Sequence, residues 1–178
     1  YQWVVKKGHD KQGVIRTFSW PNDLSDVKPL LLADTTGDNV SEVALYGKNS
    51  SGKVFLRVND GRLANTRIAN FSWPATWTEE QVMELGDLNS DGINEVALLG
   101  ININSGKYQL VIKDGRATTE YGRLTLEGNF ADLIISSYDA NSDGQADIIV
   151  NSVNAGTLSR ISVIYSGEGL GLLSTTIH

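Results

Sequence analysis

The nonapeptide Asp87-Leu-Asn-Ser-Asp-Gly-Ile-Asn-Glu95 sets oxygen-bearing side chains at its positions 1, 3, 5 and 9, namely Asp87, Asn89, Asp91 and Glu95. Gly92 follows the third of them. A hard cation such as calcium takes six to eight oxygen ligands, and alternating acids with a glycine-assisted turn can wrap one. The pattern recurs as Asp139-Ala-Asn-Ser-Asp-Gly-Gln-Ala-Asp147, and a departed copy reads Asp34-Thr-Thr-Gly-Asp-Asn-Val-Ser-Glu42. In that copy position 3 is Thr36, position 6 is Asn39 instead of glycine, and Gly37 stands out of place.

The copies are spaced by 53 and 52 residues. Other markers keep the same step. Phe18-Ser-Trp-Pro21 returns as Phe71-Ser-Trp-Pro74, and the turn glycines Gly8, Gly61, Gly115 and Gly167 step by 53, 54 and 52. A period near fifty residues is that of propeller blades. Each repeat reads as four short strands. In the best copy they run over 81–85, 95–99, 108–113 and 121–126, with the acidic loop joining the first two. The second, with Val96-Ala-Leu-Leu99, is a short apolar run bounded by turn signals, as for a buried strand. Asp114-Gly115 signals a hairpin, because glycine accepts positive φ. Strands at 30–33, 43–46, 54–58 and 66–71 make the preceding repeat, with Pro29 just ahead of the first. Strands at 133–137, 147–151, 160–165 and 170–176 make the last. Residues 77–83 fit one helical turn at most.

The expected fold is therefore all-β: a single β-propeller segment over 1–178. It divides into a half blade at 1–26, carrying only third and fourth strands, and blades at 27–79, 80–131 and 132–178. That is about 3.5 four-stranded blades, too few to close a ring. The segment reads as an arc of a larger propeller or as half of a dimeric seven-bladed ring. The opening Tyr1-Gln-Trp-Val-Val, without an initiator methionine or signal peptide, reads as a mature or excised segment.

Composition agrees. The chain has 178 residues, 40% hydrophobic, with 18 Gly and 3 Pro. Net charge is −6, from 15 basic and 21 acidic residues, and nine of those acids sit in the three loops. The acidity is local to the candidate ion sites. No basic stripe of the kind nucleic acid requires is present, and no apolar run is long enough to span a membrane. There are no cysteines, which excludes a disulfide scaffold and a thiolate site. Free calcium is scarce in the cytosol, so weak oxygen cages favour an exported protein, secreted or on the cell surface.

Two other readings of the loops compete with metal. An EF-hand needs a glutamate at position 12. Here position 12 is Leu45, Leu98 or Val150, and the flanks are strand-like, so it is rejected. Alternatively, the acids cap turns by accepting backbone N–H bonds. Loop by loop, the string apolar-Gly-Asp-x-Asn-x-Asp-Gly-x-x-acid-apolar, as in Leu85-Gly86-Asp87 through Glu95-Val96-Ala97-Leu98, resembles the FG-GAP or VCBS type of propeller repeat. That family includes the calcium-binding blades of integrin α-subunits and many bacterial surface and secreted proteins.

The resemblance implies a calcium-binding β-propeller with the ion between the first two strands of a blade. It implies ligands from Asp87, Asn89, Asp91 and Glu95 with the carbonyl of Ile93. In the third loop they would be Asp139, Asn141, Asp143 and Asp147 with the carbonyl of Gln145. In the first they would be Asp34, Thr36, Asp38 and Glu42 with the carbonyl of Val40. Calcium is expected at two sites, and the departures at Thr36 and Asn39 leave the third open. Its role would be structural.

No catalytic constellation is expected. His9 sits in a hairpin turn and His178 at the terminus, and no G-x-S-x-G, P-loop or H-E-x-x-H string occurs. Trp20, Trp73 and Trp77 gather around the repeated Phe-Ser-Trp-Pro segment. They read either as a platform for a sugar or a partner protein, with Trp77 in a loop and the most exposed, or as filling between blades. The expected function is an extracellular recognition or adhesion module for carbohydrate or protein. The alternative is a non-binding accessory segment of a larger secreted enzyme or surface protein.

Overall fold

The computed structural model describes residues 1–6 and 14–178. The expected turn around Gly8 and His9 lies outside the described residues. Among them the chain forms fourteen strands: β1 Gln2–Lys6, β2 Val14–Ser19, β3 Ser25–Leu32, β4 Glu42–Lys48, β5 Val54–Asn59, β6 Arg67–Trp73 and β7 Trp77–Glu84. They continue as β8 Val96–Asn102, β9 Lys107–Lys113, β10 Glu120–Leu126, β11 Phe130–Tyr138, β12 Asp147–Asn154, β13 Arg160–Tyr165 and β14 Leu172–Ile177. A 3-10 turn at Glu168–Leu170 precedes the last strand. The protein is all-β. β1 and β2 pair as a hairpin, and β3–β6, β7–β10 and β11–β14 are three four-stranded antiparallel sheets, each in chain order. No described helix is long and apolar enough to cross a membrane.

The chain divides into two compact units, Tyr1–Thr76 and Trp77–His178. In the first, the hairpin packs on one face of the β3–β6 sheet. Phe18 and Trp20 bury against Val43 and Leu45, with Trp3 at the margin. Phe18 and Trp20 stack at 6.0 Å, and Trp3 meets Trp20 edge-on at 6.1 Å. Offset and edge-on pairs of this kind add to the burial of their area. In the second unit, Ala97, Leu99, Leu110, Ile112, Leu124 and Leu126 of one sheet meet Ile148 and Val150 of the next. Two hydrogen bonds tie that pair: Gly86 N–H donates to the Ser137 side-chain Oγ at 2.7 Å and Ala146 N–H to the Asp87 carbonyl at 3.0 Å.

The first strand of each sheet extends upstream of its expected start. β3 begins at Ser25, β7 at Trp77 and β11 at Phe130, and each carries a register shift, between Ser25 and Lys28, Thr78 and Gln81, and Phe130 and Asp132. A bulge interrupts the period of two on which strand reading relies. Hence residues 77–83, expected to hold at most a helical turn, are strand, with Glu79 at φ 54°. Pro29 lies inside β3, pairing with Leu45, which its edge position tolerates.

The hairpin glycines differ from expectation in cause. Gly61, Gly115 and Gly167 are absent from the positive-φ residues; Asn65, Thr118 and Gly169 hold that conformation in the same turns. These glycines are required by proximity. A Cβ would fall 2.0 Å from the Ser41 carbonyl oxygen at Gly61, 2.1 Å from that of Asn94 at Gly115, and 2.1 Å from that of Ala146 at Gly167. Each of these carbonyls belongs to position 8 of an acidic loop, so the third-to-fourth-strand turn presses on the loop of its own sheet.

Candidate metal centre

The three acidic loops share one backbone. The position-1 carboxylate gathers N–H donors from the loop that follows. Asp87 accepts from Asn89, Asp91 and Gly92 at 3.3, 3.2 and 2.9 Å. Asp139 accepts from Ser142, Asp143 and Gly144 at 2.6, 3.2 and 3.0 Å. Asp34 accepts from Thr36, Gly37, Asp38 and Asn39 at 2.6–3.2 Å. Partial burial opposes ionisation of Asp34, but these N–H donors outweigh it and hold the carboxyl below its ordinary value. The position-5 acid then accepts from position 7: Val40 to Asp38, Ile93 to Asp91 and Gln145 to Asp143, at 2.9, 2.8 and 2.9 Å.

Positions 4 and 6 are left-handed in every copy. Position 4 is Gly37, Ser90 or Ser142, at φ 80°, 59° and 64°, and position 6 is Asn39, Gly92 or Gly144, at 64°, 83° and 89°. Gly37 is thus not out of place. The first loop puts glycine at one left-handed position and asparagine, which tolerates that conformation, at the other.

The position-9 acids Glu42, Glu95 and Asp147 are 0% exposed. Each braces the loop from inside. Glu42 accepts from Thr35 N–H at 3.2 Å and Gly61 N–H at 2.7 Å. Asp147 accepts from Ala140 N–H at 2.9 Å and Gly167 N–H at 3.1 Å. In these two copies both carboxylate oxygens are engaged. Glu95 differs. Its Oε2 accepts from Leu88 N–H at 2.6 Å, while its Oε1 is buried without a hydrogen-bond partner. Burial pushes the Glu95 carboxyl up to about 7, the Leu88 N–H works against that, and the charges of Asp87, Asp91 and Asp114 add to it.

Carboxylate oxygens of Asp87, Asp91 and Glu95 lie within 4.8 Å of one another. Among the described residues this is the one such trio of potential metal ligands. Asp139, Asp143 and Asp147 share the loop conformation without meeting that closeness, and so do Asp34, Asp38 and Glu42. Asn141 turns its Nδ2 to Asp143 Oδ2 at 2.8 Å, and Thr36 Oγ1 donates to Asp34 Oδ1 at 3.2 Å. The Gln145 side-chain Oε1 is buried without a partner.

Two residues that the loop pattern does not contain join the central trio. Asp114 Oδ2 accepts from Asn89 Nδ2 at 3.2 Å. Arg116 lies on Asp91, with its Nε 3.2 Å from Oδ2 and its Nη2 donating to the Asp91 carbonyl at 3.0 Å. Both sit in the β9–β10 turn with Gly115. The recurring Asp-Gly-Arg at 60–62 and 114–116 is the signal that could have drawn attention to them.

A tryptophan platform is ruled out by burial. Trp20, Trp73 and Trp77 are 4%, 1% and 5% exposed, and Trp77 opens strand β7 instead of lying in a loop. Phe71 and Trp73 stack at 6.4 Å, and the Arg123 guanidinium sits 5.9 Å over the Trp77 ring. Comparison with protein-family models, curated proteins and solved structures returns no match for this chain.

Proposed function

We propose that the chain is an arc of a calcium-stabilised β-propeller, acting outside the cell as a recognition module for carbohydrate or protein and not as an enzyme. The observation that carries this reading is Glu95 Oε1, a buried carboxylate oxygen without a donor, beside the carboxylates of Asp87 and Asp91. Three acids this close repel one another, and a hard divalent cation offsets that cost. Asp87, Asn89, Asp91 and Glu95, with the Ile93 carbonyl, would hold it. The ion would supply charge neutralisation and so lock the loop between β7 and β8. The propeller reading is supported by three consecutive four-stranded meanders at one repeat length and by the face-to-face packing of sheets within each unit.

Calorimetric titration with calcium tests the site. Asp87→Asn and Glu95→Gln each should weaken the tightest binding event by about tenfold or more, since each removes a charged ligand. Titration curves identical to that of the unaltered chain would reject the assignment. Burial of Trp20, Trp73 and Trp77 favours a second reading, a non-binding segment that spaces or braces a larger secreted or surface protein.

A further inference from the structure

We infer that Asp114 is a positioning residue for the cation site: by taking the Asn89 amide it keeps one Asp91 oxygen open to a cation, and so gives the β7–β8 loop the highest calcium affinity of the three. The inference rests on the calcium reading above and names what tunes that site. The loops differ at two places that face each other across one sheet. Position 3 is Thr36, Asn89 or Asn141, and the residue ahead of the close-packed turn glycine is Asp60, Asp114 or Ser166. The first loop has the turn aspartate without the asparagine. The third has the asparagine without the aspartate, and the central loop has both. Among the described residues, the central loop is also the one whose three acids approach within 4.8 Å.

The hydrogen bonds give the reason. Asn89 and Asn141 both accept at Oδ1 from the position-5 N–H, each at 2.9 Å. They part at Nδ2. Asn89 donates to Asp114 Oδ2 at 3.2 Å, whereas Asn141, with a serine at 166, donates to Asp143 Oδ2 at 2.8 Å. Asp143 Oδ1 already accepts from Gln145 N–H, so both oxygens of that acid are engaged. Asp91 Oδ1 likewise accepts from Ile93 N–H, but its Oδ2 takes a cation, the Arg116 guanidinium at 3.2 Å. Arg116 is the more exposed partner of that ion pair, and exposed pairs are weak enough to yield to a divalent ion. Asp114 is itself held in place, since its Oδ1 accepts from Arg116 N–H at 2.8 Å within the turn. Outer partners that orient a metal's ligands in this way are worth about tenfold to a hundredfold in affinity. Glu95 Oε1, buried without a partner, is the independent sign that the central loop is built for a cation.

The test is calorimetric titration of the whole chain with calcium, read beside its side-chain amide ¹H–¹⁵N spectrum in chelator. Asp114→Ser, which installs the third loop's residue, should weaken the tightest binding event about tenfold or more and move the Asn89 Nδ2 signals. Asp114→Asn keeps an acceptor oxygen and should recover most of that affinity; a loss as large as in Asp114→Ser would assign the effect to charge and overturn the inference. Ser166→Asp should move the Asn141 signals and tighten, or create, a second binding event by about tenfold. That gain decides the matter if Asp114→Ser, which also removes a turn cap, fails to fold. Affinities unchanged in both Asp114→Ser and Ser166→Asp, while Asp87→Asn weakens binding, would keep the metal reading and sink this one. A chain that binds no calcium would sink the metal reading. The Asn89 signals in chelator then decide alone: moved by Asp114→Ser, they show that Asp114 leaves Asp91 to Arg116; unmoved, they overturn the inference.

Discussion

Gly115 shows how a single missing atom can tie a turn to an acidic loop. Its missing Cβ lets the β9–β10 turn approach the Asn94 carbonyl, and an added methyl would sit 2.1 Å from that oxygen and 2.9 Å from Ile93 Cγ2. The nearer neighbour is backbone, and Asn94 leads directly into buried Glu95; Ile93 Cγ2 is a branch methyl held next to its own backbone. Gly115→Ala should therefore destabilise the fold by about 2 kcal/mol or more, an overpacking cost that urea denaturation would read. Stability within a few tenths of a kcal/mol of the unaltered chain would refute the packing argument. Glu95 gives a second residue-level expectation. Its folded pKa, near 7, lies above its unfolded value of 4.5. The folded state then binds more protons between those values, so stability is fully present below about pH 4.5 and declines as pH rises to 7. The loss attributable to Glu95 is at most about 3 kcal/mol without calcium. Calcium favours the ionised form, so its affinity should drop as pH falls from 7 toward 5. Melting series at several pH values, in chelator, should show this decline in the unaltered chain and a flatter profile in Glu95→Gln. Parallel profiles would contradict it.

At the scale of elements, the acidic loop was legible because its chemistry repeats at a fixed step, and a repeated loop carries the four-strand unit with it. The second, third and fourth strands were legible too: Val96-Ala-Leu-Leu99 and its equivalents are buried on both faces, and Asp-Gly marks the hairpin that follows the third. The starts of the first strands were not legible. Bulges at Thr78/Gln81 and its equivalents break the alternation, and no local residue signals how long a strand continues past one. The depth of the tryptophans was also hidden, since burial depends on which sheet face lies opposite, something a linear pattern does not contain. The first loop corrects the reading of its own sequence. Gly37 and Asn39 supply the two left-handed positions that Ser90 and Gly92 supply in the second loop. Ser90 adopts φ 59° at a cost that glycine does not incur. Ser90→Gly should then be neutral or stabilising by up to about 1 kcal/mol, because strain relief outweighs the added freedom of the unfolded chain. A destabilisation above about 1 kcal/mol in thermal unfolding would mean that the Ser90 side chain has a task beyond conformation.

Across the whole molecule, nine of 21 acids are confined to three short loops, and three of these acids are completely buried. Such a distribution stores repulsion in the connections between strands, where a few divalent ions would relieve it. Two of the loops engage both oxygens of the buried acid with N–H donors, and the central loop leaves one oxygen unpaired. Sites of this kind should fill in a hierarchy, with the Asp87, Asp91 and Glu95 site first. Thermal unfolding of the full chain in chelator and then in excess calcium tests this most directly. Calcium at about a hundredfold over its Kd should add about 2.7 kcal/mol, which raises the melting temperature by about 5–10 °C for a chain of this size. Sodium chloride at the same ionic strength should not reproduce the shift. Superimposable melting curves in chelator and in millimolar calcium would contradict the claim that a cation holds these loops.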